Sequence, residues 1–225
     1  MTQVDRRAAA MATFAGNGLT VAITVAQAFF LIPVCLAFLG PGLYARWLAA
    51  SEVLIWLQML DGGLPNLLMQ RVGALVGRSE WEQAARWSST VLAGLLAIST
   101  VLCGAAIGLA PLVVDWLGGG GADRETFIAC FRVGALASVG LMLANGCVGL
   151  ARGVQQTGIV NVSQVTGAAA GLVVSLVLLL AGWGLWALAI GLSARALVAV
   201  VGALWFLLRL PATPAGWVSA PSRVV

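Results

Sequence analysis

The chain has 225 residues, of which 61% are hydrophobic and 9% charged, with a mean hydropathy of +1.01 and a formal charge of +4. No soluble domain of this length needs that much apolar side chain, so the composition points to an all-α, polytopic membrane helix bundle. Histidine and lysine are absent, and the positive excess is scattered arginine. This excludes His-ligated metal, haem and a Ser–His hydrolase, and leaves no concentrated basic face for nucleic acid.

Runs of roughly 20 apolar residues match a ~30 Å hydrocarbon core, and six lie along the chain. The first extends from about Ala12 to Leu39 and the second from about Tyr44 to Leu68, joined by the turn "GPGLY". Arg6 and Arg7 precede the first run, which is too long for a signal peptide and is expected to stay in place. "LDGGLP" closes the second run. There Asp61 sits beside Gly62 and Gly63, which loosen a helix, and Pro65, which removes a helical hydrogen bond. Two readings of this stretch are open: a helix terminus with its usual stop residues, or a hinge beside a carboxylate. On the hinge reading the glycines belong to a helix, so Gly→Ala changes should stiffen it by roughly 1 kcal/mol each.

"SEWE" from Ser79 matches a capping box for the third run, about Trp87 to Leu117. "GGGGADRE" then turns the chain, with Asp123 as N-cap of the fourth run, about Thr126 to Leu150. The fifth run covers about Thr157 to Leu180 and the sixth about Leu185 to Leu210. Residues 1–210 thus form one transmembrane domain, and the Pro- and Ala-rich residues 211–225 a disordered cytoplasmic tail.

Short loops rich in arginine stay in the cytoplasm. Arg6, Arg7, Arg71, Arg78, Arg86, Arg152, Arg209 and Arg223 fall on one side of a six-helix zigzag, Arg46 and Arg124 on the other, which predicts that both termini are cytoplasmic. Tyr44, Trp47, Trp116, Trp183 and Trp186 fall at outer helix ends, where interfacial aromatics belong. Cys35, Cys103, Cys130 and Cys147 are widely separated within apolar spans and read as small buried hydrophobes, with no metal or cofactor site.

Polar residues inside the spans are costly unless they face protein or water. Thr13, Asn17, Thr20, Thr24 and Gln27 recur at spacings of three and four, forming one stripe on the first helix that lines a hydrated cavity or packs against a neighbour. Asn161, Gln164, Gly167, Gly171 and Ser175 on the fifth helix read as close helix packing. Arg195 lies ~15 Å into the sixth helix, which marks a substrate path, with ion pairing to another helix as the structural alternative. Glu52 and Arg132 lie nearer the outer surface, in reach of snorkelling or of function.

The run "FLGPGLYARWLAASEVLIWLQMLDGGLPNLLMQRVGALVGRSEWEQAARW" resembles the amino-terminal half of polysaccharide and O-antigen flippases of the multidrug/oligosaccharidyl-lipid/polysaccharide exporter superfamily. The likeness is carried by Leu39-Gly40, Leu43-Tyr44 with Trp47, Leu60-Asp61 with Gly63-Leu64, and Gly77-Arg78 with Glu80, and further on by "GLARGVQQTGIVN" and "GWGLWALAIG". It implies two six-helix halves around a central cavity in a bacterial inner membrane. Their cargo is an undecaprenyl-pyrophosphate-linked oligosaccharide, moved between leaflets for surface polysaccharide such as the O-antigen of lipopolysaccharide, by binding and conformational exchange with no covalent step. On that implication Arg195 and Arg132 attract the pyrophosphate, the polar stripe of the first helix bonds sugar hydroxyls, and Asp61 with its glycines and Glu52 serves as hinge or coupling element. The expected partners are membrane lipids, the lipid-linked cargo, polysaccharide assembly enzymes, and a second six-helix half or a second copy of the chain. Two alternatives stand beside it: a cation-coupled multidrug exporter of the same superfamily, and a non-transporting membrane scaffold for polysaccharide assembly.

Overall fold

The computed structural model describes residues 3–118, 123–156 and 158–209, and only some of the side chains before residue 29. These residues form six helices and no strand: α1 (Gln3–Met59), α2 (Leu64–Gly77), α3 (Trp81–Trp116), α4 (Arg124–Gly153), α5 (Gly158–Leu180) and α6 (Trp186–Arg209). Among the described residues five stretches are long and apolar enough to cross a membrane, the first being Phe29–Gly77, so the chain is a multi-pass membrane protein. The first two predicted runs fall together in α1, interrupted by Gly40 alone, whose φ of 75° and ψ of 161° are open essentially to glycine. Pro41 follows as a first-turn residue, where its missing N–H costs nothing. The expected tail, residues 211–225, lies outside the described residues.

Three sequence-based boundaries are corrected. The second run does not continue as helix to Leu68: α1 ends at Met59 and a new helix starts at Leu64, because two successive glycines take left-handed φ. The capping box at "SEWE" does not form, since Ser79 itself has a φ of 62° and α3 begins at Trp81 with no side-chain cap. Asp123 is the N-cap of α4, again without a side-chain bond.

Helix α4 is the centre of the bundle and packs against every other helix. Small residues permit this, because helices in lipid associate by close packing. A Cβ on Gly134 would lie 2.7 Å from Leu54 of α1, and one on Gly146 would collide with Leu95 of α3. At one end of the bundle Cys35, Trp47, Leu54, Phe127, Phe131 and Leu179 form a buried cluster; at the other, Leu68, Val72, Leu150, Val160 and Phe206 form a second. Trp47 belongs to the first cluster. It is 6% exposed and meets Phe127 edge to face, ring centroids 6.2 Å apart. That end is also tied by Arg124, which donates to both Asp115 oxygens at 2.7 and 2.9 Å, and by Arg46, which donates to the Gly118 carbonyl at 3.3 Å. At the opposite end Arg71 lies over the Trp87 ring at 5.9 Å.

The α5–α6 seam is built as the packing reading of the fifth helix requires. Ser163, Gly167, Gly171 and Ser175 recur every four residues and face Gly202, Arg195 and Gly191 of α6 so closely that a Cβ on Gly171 would stand 3.0 Å from the Gly191 carbonyl oxygen.

Candidate functional site

The break between α1 and α2 follows from four residues. Gly62 and Gly63 have φ of 63° and 74°, a left-handed pair that costs an L residue about 1–2 kcal/mol each and costs glycine nothing. The Asp61 carboxylate holds the turn, its Oδ1 accepting the Gly63 N–H at 2.8 Å, while the Asp61 carbonyl accepts the Leu64 N–H at 3.2 Å. Pro65 then sits in the first turn of α2, where its ring starts the helix. The glycines are therefore turn residues, and the expectation that alanine there favours helix is reversed in sign.

The new helix rests directly on α4. A Cβ on Gly149 would overlap the Pro65 carbonyl oxygen and stand 2.9 Å from the Pro65 carbonyl carbon, and one on Gly153 would meet Val72 at 3.0 Å and the Met69 carbonyl oxygen at 3.2 Å. Two glycines four residues apart thus make the seat that α2 occupies.

Beside this seat α4 carries Ser138, Asn145 and Arg152 at seven-residue intervals, two helical turns each, so all three share one face. Gln58 near the end of α1 donates to the Ser138 hydroxyl at 3.4 Å. Lower on the same face a cavity of about 300 Å³ is lined by Asp61, Pro65, Asn66, Asn145, Arg152 and Gln164, with Gly149 at its floor. Asn66 and Asn145 are exposed, so the cavity opens sideways out of the bundle. Asn145 is eight residues from the end of α4, ~12 Å along it, well within a membrane-spanning helix. An exposed carboxamide at that depth against lipid is costly, so this face suits water or a second protein surface.

The structure brings Asp61 and Pro65 into the cavity wall, with Gly62 and Gly63 forming the turn above it. Glu52 is exposed and lies on the face of α1 away from Ala50 and Leu54, both buried. Arg132 is exposed, and its Nε donates to the Ile107 carbonyl of α3 at 3.4 Å. Arg195 is packed against Gly167 and Gly171, and its Nε is buried with no acceptor among the described residues. The side chains of Thr13, Asn17, Thr20, Thr24 and Gln27 lie outside the described residues. The sequence reading missed Asn66 and Asn145, assigned Arg152 to topology and Gln164 to packing. The signal was present in the heptad spacing of Ser138, Asn145 and Arg152. Among the described residues no group of His, Cys, Asp and Glu is placed to hold a metal, and Cys35, Cys103, Cys130 and Cys147 are free thiols.

The chain is thus a membrane helix bundle with a broken helix beside a polar, side-opening cavity. Its fold is similar to that of a multidrug and toxic compound extrusion (MATE) transporter. The solved structure is titled "Crystal structure of MATE in complex with MaL6", with a TM-score of 0.67 at 16% identity over 91% of this chain. The chain spans 46% of that protein's length. Neither a protein-family model nor a curated protein matches the sequence.

Proposed function

We propose that the chain is one six-helix half of an alternating-access exporter of the multidrug/oligosaccharidyl-lipid/polysaccharide superfamily, in a bacterial inner membrane with both chain termini in the cytoplasm. One observation carries this reading: exposed Asn145 with half-buried Arg152 and Gln164 on the membrane-spanning helices α4 and α5, beside half-buried Asp61 and exposed Asn66 at the helix break, form a polar face that only a hydrated cavity or an opposing protein wall stabilises. The likeness to about half of a MATE transporter supplies that wall in kind, since rocking of one half against another needs two. The second half is a further segment, a separate chain or a second copy.

Of the candidate cargoes, the fold similarity favours small amphipathic molecules exported against a cation gradient, with Asp61 as coupling carboxylate and its glycine turn as the hinge. A flippase for lipid-linked oligosaccharide is the second reading, favoured by the order and spacing of the "LG…Y", "LDGGL" and "GRSE" elements. In it Arg195 and Arg132 attract pyrophosphate, and Asn17, Thr20, Thr24 and Gln27 bond sugars. Both readings are tested by reconstituting the chain in proteoliposomes and measuring uptake of a fluorescent organic cation and, separately, flipping of an undecaprenyl-linked glycan. The oligomeric mass is measured in the same sample. Uptake of the cation by a two-half assembly supports the first reading and glycan movement the second; neither activity in an assembly of the correct mass refutes the proposal.

A further inference from the structure

We infer that the exposed face of α1 centred on Glu52 receives a second copy of the chain, so that the two Glu52 carboxyl groups meet across a two-fold axis along the membrane normal and share a proton. The inference rests on the two-half assembly proposed above and names a second copy as the missing half.

Pattern comes first. From Leu48 to Met59 the exposed residues of α1 are Leu48, Ala49, Glu52, Ile55, Trp56 and Met59, a single stripe at helical spacing. It lies on the side away from Leu54, which packs on Gly134 of α4. Glu52 is the only charge in the stripe, and it has no hydrogen bond or ion pair among the described residues. Depth comes second. Arg46 reaches the Gly118 carbonyl at one end of the bundle, and Glu52 lies ~9 Å further along the helix, with ~10 Å still to run before α1 ends at Met59. A glutamate side chain is too short to reach water from there. Against lipid it is costly, and a protein partner that hydrogen-bonds it removes the cost. The partner comes third. Copies in one membrane share one height, and a two-fold axis along the membrane normal brings Glu52 to the depth of its counterpart. Two carboxyl groups in contact do not both ionise; one keeps its proton and donates it to the other. No other residue of the stripe titrates, so none competes for that proton. Ala49, one turn before Glu52, permits close approach of the two helices, and Leu48, Ile55 and Trp56 supply the apolar flanks. Two copies also match the length of the MATE neighbour, of which one chain covers 46%.

The experiment uses the whole chain in liposomes, its four cysteines replaced by alanine, with a single cysteine at Ala49 or at Leu197, which is exposed on α6. Copper-catalysed oxidation is expected to join Ala49→Cys chains in pairs and to leave Leu197→Cys chains single. The fraction of paired chains is then counted by single-molecule photobleaching. Glu52→Gln donates and accepts as the shared carboxyl does and should pair like wild type, whereas Glu52→Ala should weaken pairing by about three- to tenfold. Glu52→Lys should stay single through like-charge repulsion, yet pair with wild type of a second colour above the random share. Membrane abundance and melting temperature matched to wild type confirm that each variant is folded. Ala49→Cys chains that stay single overturn the inference, as does pairing that Glu52→Lys leaves unchanged or mixed pairs at the random share. Cation uptake by liposomes in which the chains stay single overturns the second copy and leaves the exporter reading standing. Paired chains that move neither cation nor glycan refute the exporter reading alone.

Discussion

Gly149→Ala is the most direct perturbation of the seat that positions the cavity. The added Cβ would overlap the Pro65 carbonyl oxygen and stand 2.9 and 3.0 Å from the Pro65 carbonyl carbon and Cα. These are backbone atoms of the residue that starts α2, so no rotamer change relieves the clash, and α2 must lift from α4. Lifting it loosens Leu68 and Val72, which are 1% and 0% exposed. Overpacking against an unyielding neighbour costs about 1–3 kcal/mol, which in a chain of this size lowers the melting temperature by about 2–10 °C. Gly140→Ala on the same helix is the control, since its Cβ would meet only side-chain atoms, the end of Val200 at 3.4 Å and the Ala196 Cβ at 3.7 Å. Both variants are compared with wild type by thermal unfolding in one detergent, followed by intrinsic tryptophan fluorescence. A Gly149→Ala protein that melts with wild type and Gly140→Ala would refute the seat and the cavity geometry built on it.

Gly62→Ala and Gly63→Ala should each destabilise by about 1–2 kcal/mol, because both positions hold left-handed φ; a gain in melting temperature would restore the continuous-helix reading. Asp61→Ala should lose the bond to the Gly63 N–H, about 0.5–1.5 kcal/mol, and Asp61→Asn should retain it, read by hydrogen exchange at Gly63 and Leu64. Trp47→Ala should cost about 3–5 kcal/mol, as loss of a buried aromatic from the cluster around Phe127 does, whereas an interfacial Trp47 would leave the melting temperature nearly unchanged. Arg195→Ala should keep membrane abundance and lose export if the guanidinium meets cargo; falling abundance would assign it a structural pairing instead.

The helices were legible because apolar runs of spanning length, separated by Gly, Pro and Asp, carry a signal that tertiary context rarely overrides. Four of the runs, from Trp87 to Leu210, are recovered in α3 to α6 within several residues. The break at Asp61 was legible as a break, but its form was not. Glycine loosens a helix and also permits positive φ, and only the bond from Gly63 to Asp61 decides between them. The burial of Trp47 against Phe127 was not legible, because a tryptophan near a helix end satisfies an interface and a core equally well in one dimension. The cavity was least legible: Asp61, Asn145 and Gln164 come from the α1–α2 turn, α4 and α5, and each alone reads as a cap, a tolerated amide or a packing contact. What joins them is the glycine seat on α4, which needs the partner backbone to be seen.

The central claim is that the side of α4 carrying exposed Asn145 and half-buried Arg152 borders water and not lipid. In a chain whose four cysteines are replaced by alanine, a cysteine is placed singly at Asn145 and at Leu136. Both positions are exposed on α4, Leu136 at 55%, but on different faces. Labelling by a membrane-impermeant thiol reagent in inside-out vesicles should modify Asn145→Cys and spare Leu136→Cys. Equal protection of the two would place the polar face against lipid and contradict the account.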